Sequence, residues 1–407
     1  MIFLNDFFIN LINGIKMSFL ERLKEPKFLG IFEQAISSGA SFLFFLIAAR
    51  VYGVSEFSKF GVIFFGVQLV YTILAQWCYL PIITFSNDVS AVKAIKISAM
   101  KFLKVAALLP FFSVIYLYIF NNVVEFTVAK SVTFIFYILS FCLFDFFKYL
   151  YVRYKYTSVL LFLQLSRWIG VYICILGGFD ILGAYFYPVF ISLIVFVIHF
   201  TFFFYPSLLP EKNNNVNVKI SSSKPLLYNA VANNIQTVLI NISFASINVS
   251  IIGAFLAFRS LTNFIPVILQ YLEVHLASDI ARNNKRIFPS RNAMLSGSGG
   301  VFIILALLSL FHHDIVSLVY GEGYLEFSYL LALMFFVVFI QSISRIVCIN
   351  LRLRSKLLVF YYTGTVVIFS GLFAVITSYF FQNESYLFAI IAITPIIQLL
   401  LFVSCRK

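Results

Sequence analysis

Charge is what this chain has least of: 11% of its 407 residues are Asp, Glu, Lys or Arg, where a soluble domain carries roughly a quarter. Acids are scarcer than bases, 16 against 29. The five cysteines, Cys78, Cys142, Cys174, Cys348 and Cys405, stand singly in apolar runs without CxxC spacing. That is the pattern of packing residues, not of a disulfide framework or a metal site. No HExxH or spaced carboxylate motif occurs, so no catalytic residue, metal or cofactor is expected. The formal charge of +13 is not gathered into a basic run on any polar segment long enough to fold, which argues against a nucleic-acid partner.

Apolar residues, by contrast, make up 62% of the chain, and aromatics 19%. They come in uninterrupted runs of about twenty, the length a helix needs to cross about 30 Å of hydrocarbon. Strands of a barrel are half as long and alternate, so the expected fold is an all-α integral membrane protein. Cuts at polar, Gly and Pro breaks predict about twelve transmembrane helices: 28–52, 57–80, 102–120, 129–150, 157–177 and 182–205, then 226–247, 250–272, 294–311, 327–349, 357–380 and 386–404.

The basic residues orient these spans. With the amino terminus in the cytoplasm, 23 of the 29 Lys and Arg fall in inner segments, and only Lys59 and Lys130 fall in outer loops. Both termini are then cytoplasmic, in a multi-pass protein of the inner membrane. Residues 1–27 hold seven charges and no small-residue cleavage site, which reads as a cytoplasmic or interfacial segment rather than a signal peptide; Met17 is an alternative start. The polar stretch 206–225, PSLLPEKNNNVNVKISSSKP, reads as a cytoplasmic linker between six-helix bundles at 28–205 and 226–404.

Charged and amide side chains inside the spans are the candidate site. Arg259 lies mid-span, with Asn263, Pro266 and Gln270 within about 60° of it on a helical wheel. Asn229, Asn233, Gln236 and Ser243 share one face of the preceding span. A wet, substrate-facing stripe and a buried hydrogen-bond network both fit these positions. Arg167 is equally deep, with Asp145 as one candidate partner, although Asp145 could instead pair locally with Lys148. Glu33 opens a small polar face at the inner end of the first span. Arg50 stands at its outer end, where snorkelling is the plain alternative, and His199 reads as a satisfied interior histidine. Guanidinium stays charged when buried and matches phosphate oxygens bidentately, so deep arginines in a cavity point to an anionic substrate.

Three stretches carry a family resemblance. SSGASFLFFLIAARVYGVSEFSKFGVIFF (37–65) resembles the first hairpin of Wzx-type polysaccharide exporters, GAFLAFRSLTNFIPVILQYL (253–272) their eighth helix, and LVYGEGYLEFSYLLALMFFVVFI (318–340) the turn before their tenth. The resemblance implies two six-helix bundles forming a V. Between them lies a cavity lined mainly by the first, second, seventh and eighth helices, in agreement with the polar faces at Gln236 and Arg259; the candidate substrate-binding residues of the chain are Arg259, Asn263, Gln270, Asn233, Gln236, Arg50, Glu33 and Arg167. It also implies carriage of a lipid-linked oligosaccharide across the bacterial inner membrane, among membrane lipids and alongside a polymerase and a chain-length regulator. The seventh span, NNIQTVLINIS, lacks the carboxylate that many relatives carry, leaving Asp145 and Glu33 for ion coupling. Two other readings stand beside this one. One is a membrane glycan polymerase or glycosyltransferase, for which the outer segment Phe311 to Glu326, with His312, His313, Asp314, Glu322 and Glu326, is short. The other is a multidrug/proton extruder of the same fold.

Overall fold

The computed structural model describes residues 26–79, 91–153, 156–204, 224–262, 302–353 and 358–404. Within them the chain is helical, with no strand, as a backbone in hydrocarbon must be when it has no water to bond. Helix α1 runs Pro26–Leu74 and ends in a π-helical turn, Ala75–Tyr79. α2 (Ala91–Ala106) and α3 (Leu109–Ile119) meet at a 43° bend next to Pro110. α4 (Val128–Arg153), α5 (Thr157–Leu176) and α6 (Ile181–His199) complete the first half. The second half holds α7 (Lys224–Ile247), α8 (Ser250–Thr262), α9 (Phe302–Leu310), α10 (His312–Tyr320), α11 (Ser328–Leu353), α12 (Val359–Phe381) and α13 (Glu384–Ser404).

By length and apolarity, eight of these helices can cross a membrane, or ten if each bent pair counts once. The longest candidate, Ala35–Tyr79, has 45 residues; as a straight rod it would measure about 68 Å, more than twice the hydrocarbon thickness. It is not a rod. Gly53 has φ 73° and ψ 170°, backbone that only glycine adopts readily, and the chain turns back there. Ring contacts prove the reversal: Phe44 meets Phe60 at 5.7 Å and Phe45 meets Phe64 at 5.1 Å, whereas residues sixteen apart on one helix would be about 24 Å apart. The two predicted segments 28–52 and 57–80 therefore fall on the two arms of a hairpin.

The segment after Leu310 differs from the expected loop. Residues 312–320 are helix α10, bent 73° from α9, and a 3₁₀ turn, Glu322–Phe327, follows. Val316, Tyr320, Tyr324 and Phe327 are all buried. These side chains pack one side of the segment on the bundle, while His313, Asp314, Glu322 and Glu326 are exposed on the other. Among the described residues, no three of His, Cys, Asp and Glu gather as metal ligands.

Packing divides the chain as its order suggests. α1 packs on α4, α5 and α6, while α7, α11, α12 and α13 pack together, and the halves meet where α1 touches α7, α8 and α10. The linker region from 206 to 223 and the segment 1–25 lie outside the described residues.

Replacing Gly53 with Ala should lower stability by about 1 to 3 kcal/mol, because a Cβ strains that backbone even though nothing crowds it. Gly39→Ala, in open helical surroundings on the same arm, should be neutral. Thermal unfolding of the two detergent-solubilised variants checks this, and equal behaviour would refute the hinge role of Gly53.

Candidate functional site

Every charged residue within the membrane needs a neighbour that offsets its desolvation. In the first half these neighbours are present. Glu33 on α1 is buried, and its carboxylate lies 3.0 Å from the Lys148 Nζ of α4. Lys148 therefore pairs across helices; Asp145, the local candidate, lies near Tyr71 and in the field of Lys148 and Arg167. Arg167 on α5 is 5% exposed. Its guanidinium carbon lies 4.7 Å from the centroid of Trp168, 5.1 Å from Phe144, 5.6 Å from Tyr185 and 5.9 Å from Phe141, and a terminal nitrogen lies 3.4 Å from the Tyr185 hydroxyl. Two acids and two bases thus balance inside one bundle, with aromatic faces adding cation–π attraction. Its Nε has no partner. His199 is satisfied, bonded to Tyr151 at 2.6 Å.

Arg259 has no such company. It is partly buried on α8, and its guanidinium lies 5.7 Å from the ring of Phe65 on the return arm of α1. Among the described residues it meets no carboxylate and no hydrogen-bond acceptor. A cation–π contact contributes about 2 kcal/mol when desolvated, less than the 2.5 to 3.5 kcal/mol that insertion scales assign to a mid-bilayer arginine. An anionic guest would offset the remainder. Asn263 and Gln270, predicted on the same face, lie outside the described residues, as does the rest of that span.

Arg259 also sits at the seam between the halves. One and a half turns away, Gly253 presses against α1: its N–H donates to Ser58 Oγ at 3.0 Å, and an added Cβ would lie 2.6 Å from Ser58 Oγ and from the Val54 carbonyl. Around this contact, Arg50 donates to the Leu318 carbonyl (3.0 Å), Tyr324 to that of Ala49 (3.1 Å) and Asn122 to that of Ala245 (3.0 Å). Each of these four interhalf bonds lies at the Gly53 end. Arg259 is about 9 Å deeper along α8 than Gly253, so it lies beneath a closed end.

The polar face of α7 points elsewhere. Gln236 donates to Ser370 of α12 at 2.8 Å, Asn229 accepts from Thr363 at 3.0 Å, and Asn233 bonds its own helix at the Asn229 carbonyl (2.6 Å) and meets Gln398 at 3.4 Å. Gly364 and Gly371 of α12 let the backbones approach, since an added Cβ at either would come within 3.2 Å of an α7 Cα. In hydrocarbon such small-residue tracks and interhelical amides hold helices together. Asn233 and Gln236 are therefore engaged in packing, and Arg50, exposed at the molecular end, tethers α10. Of the predicted site residues the structure brings together Glu33, Asp145 and Arg167 in one network, and leaves Arg259 apart from it. The aromatic cage of Arg167 and the role of Phe65 were missed; only the density of Phe and Tyr near those positions hinted at them.

Compared with protein-family models, curated proteins and solved structures, the chain matches none. What the helices define is a multi-pass membrane protein.

Breaking the Glu33–Lys148 pair tests the balance. Lys148→Met should cost about 3 to 5 kcal/mol by stranding a buried carboxylate, and Glu33→Gln in the same chain should recover most of it. Unfolding temperatures of the single and double variants would decide; a double variant as unstable as the single one would mean the pair is incidental.

Proposed function

We propose that this protein is a flippase moving a polyprenyl-pyrophosphate-linked oligosaccharide from the cytoplasmic to the periplasmic leaflet of a bacterial inner membrane. The observation that carries this reading is Arg259: a deep, fork-shaped cation at the seam between two helical halves, with no carboxylate beside it among the described residues. A phosphate group suits such a fork, since two parallel N–H bonds can be made to one phosphoryl face. In this reading the sugar head crosses between the halves while the lipid tail stays in hydrocarbon, and the seal at the Gly53 end opens as the opposite side closes.

Twelve spans and two cytoplasmic termini belong to the same proposal. In this count the 45-residue candidate that folds at Gly53 stands for two spans, the bent pair α2–α3 for one, and α9 for the end of the predicted 294–311 span. α8 is described as far as Thr262, within the predicted 250–272 span. Reporter fusions at Asn214 and at Lys407 should both give cytoplasmic signals. A periplasmic signal at either position would exclude two bundles of six.

The chemistry is transport without bond-making. The extruder reading needs carboxylates free to exchange ions, whereas Glu33 and Asp145 already face Lys148 and Arg167; if ion coupling occurs in this bundle, it acts on that network.

Arg259→Ala and Arg259→Glu should abolish surface glycan while membrane abundance stays near that of the parent. Arg259→Lys should keep partial export, because charge survives and the bidentate geometry does not. Lipid-linked repeat units should accumulate on the cytoplasmic leaflet in the Ala strain. Units found unpolymerised on the outer leaflet would replace this reading with a polymerase, and full export by Arg259→Ala at normal abundance would end it.

A further inference from the structure

The bent pair α2–α3 carries a second feature that the transport reading does not use. Between Asp88 and Glu125 the chain contains no acidic residue, and α2 itself bears Lys93, Lys96, Lys101 and Lys104. One side of α2 is fixed to the end of α1: Ser98 Oγ donates to the Cys78 carbonyl at 3.1 Å, and Lys101 Nζ donates to the Trp77 carbonyl at 3.0 Å while lying 5.8 Å from the indole centroid. Phe102 is buried on that side. The opposite side is therefore held outward, and it consists of Lys96, Met100, Leu103 and Lys104, positions that share a face at helical spacing. Met100 is 49% and Leu103 66% exposed, and both lysines are exposed. Among the described residues neither Lys96 nor Lys104 has an ion-pair or hydrogen-bond partner.

Lys96 and Lys104 stand about 12 Å apart along one face of α2, with Met100 and Leu103 between them. A neutral headgroup supplies no net charge to balance two lysines, and the exposed Met100 and Leu103 call for apolar cover. A lipid with an anionic phosphate and two acyl chains meets both demands: its phosphate answers the lysines, and its chains cover Met100 and Leu103. We propose that this outward face of α2 is a binding site for an anionic phospholipid of the surrounding bilayer. Sharing one helical face, Lys96 and Lys104 reach lipid phosphates together.

The test titrates the purified full-length chain with phosphatidylglycerol or phosphatidylcholine and counts bound lipids by native mass spectrometry. Phosphatidylglycerol should bind more tightly. Lys96→Gln with Lys104→Gln should weaken it by about 30-fold, from roughly fivefold per lysine, without changing phosphatidylcholine binding. Lys96→Arg with Lys104→Arg should retain the preference, which separates charge from a fold defect. Lys212→Gln with Lys219→Gln removes the same charge elsewhere and should leave the affinity unchanged. An equal loss in that control, no preference for phosphatidylglycerol in the parent, or tighter binding of a polyprenyl diphosphate than of phosphatidylglycerol would each overturn the proposal.

Discussion

Hydrocarbon gives no reward for packing one leucine against another, because lipid tails are as apolar as the side chains they would replace. Whatever holds this chain together must come from close backbone approach, from dispersion between large rings, and from polar groups that find no water. Each of these has a distinct address. Close approach joins α7 to α12 over Gly364 and Gly371, and α1 to α8 at Gly253. Rings fill the first bundle, where Phe44, Phe60 and Tyr185 touch one another within 6 Å. Polar bonds join the halves, and they do so at one end.

The same scarcity of water sorts the two deep arginines. Among the described residues Arg167 meets four rings, a tyrosine hydroxyl and the field of Asp145, with its Nε left over. Arg259 meets one ring there. Both are guanidinium groups, so what distinguishes them is their surroundings. A bundle that neutralises its own charge behaves as a rigid unit, since separating its helices would strand ions in lipid.

Much of this fold was legible in the amino-acid order. Run length alone distinguishes helices from barrel strands, and a glycine between two apolar runs marked the α1 hairpin correctly. What could not be read was neighbourhood. A helical wheel places Asn229 and Gln236 on one face but not which helix that face meets; the glycines that decide it stand in α12, more than a hundred residues away. Lys148 has an acid three residues before it, yet its ion pair is with Glu33 on another helix. The segment 312–327 was legible in part. Its polar residues His313, Asp314, Glu322 and Glu326 are exposed, whereas the buried apolar positions between them form a pattern too short to stand out.

Among the described residues, three of the four interhalf bonds end on main-chain carbonyls, those of Leu318, Ala49 and Ala245. A carbonyl is the same chemical group whatever residue carries it. Over evolutionary time the donors Arg50, Tyr324 and Asn122 are thus constrained by this closure, while their acceptors are free to drift so long as the local backbone path is kept. Covariation between the two sides would be faint, and the joint would leave almost no paired signature in a set of related sequences.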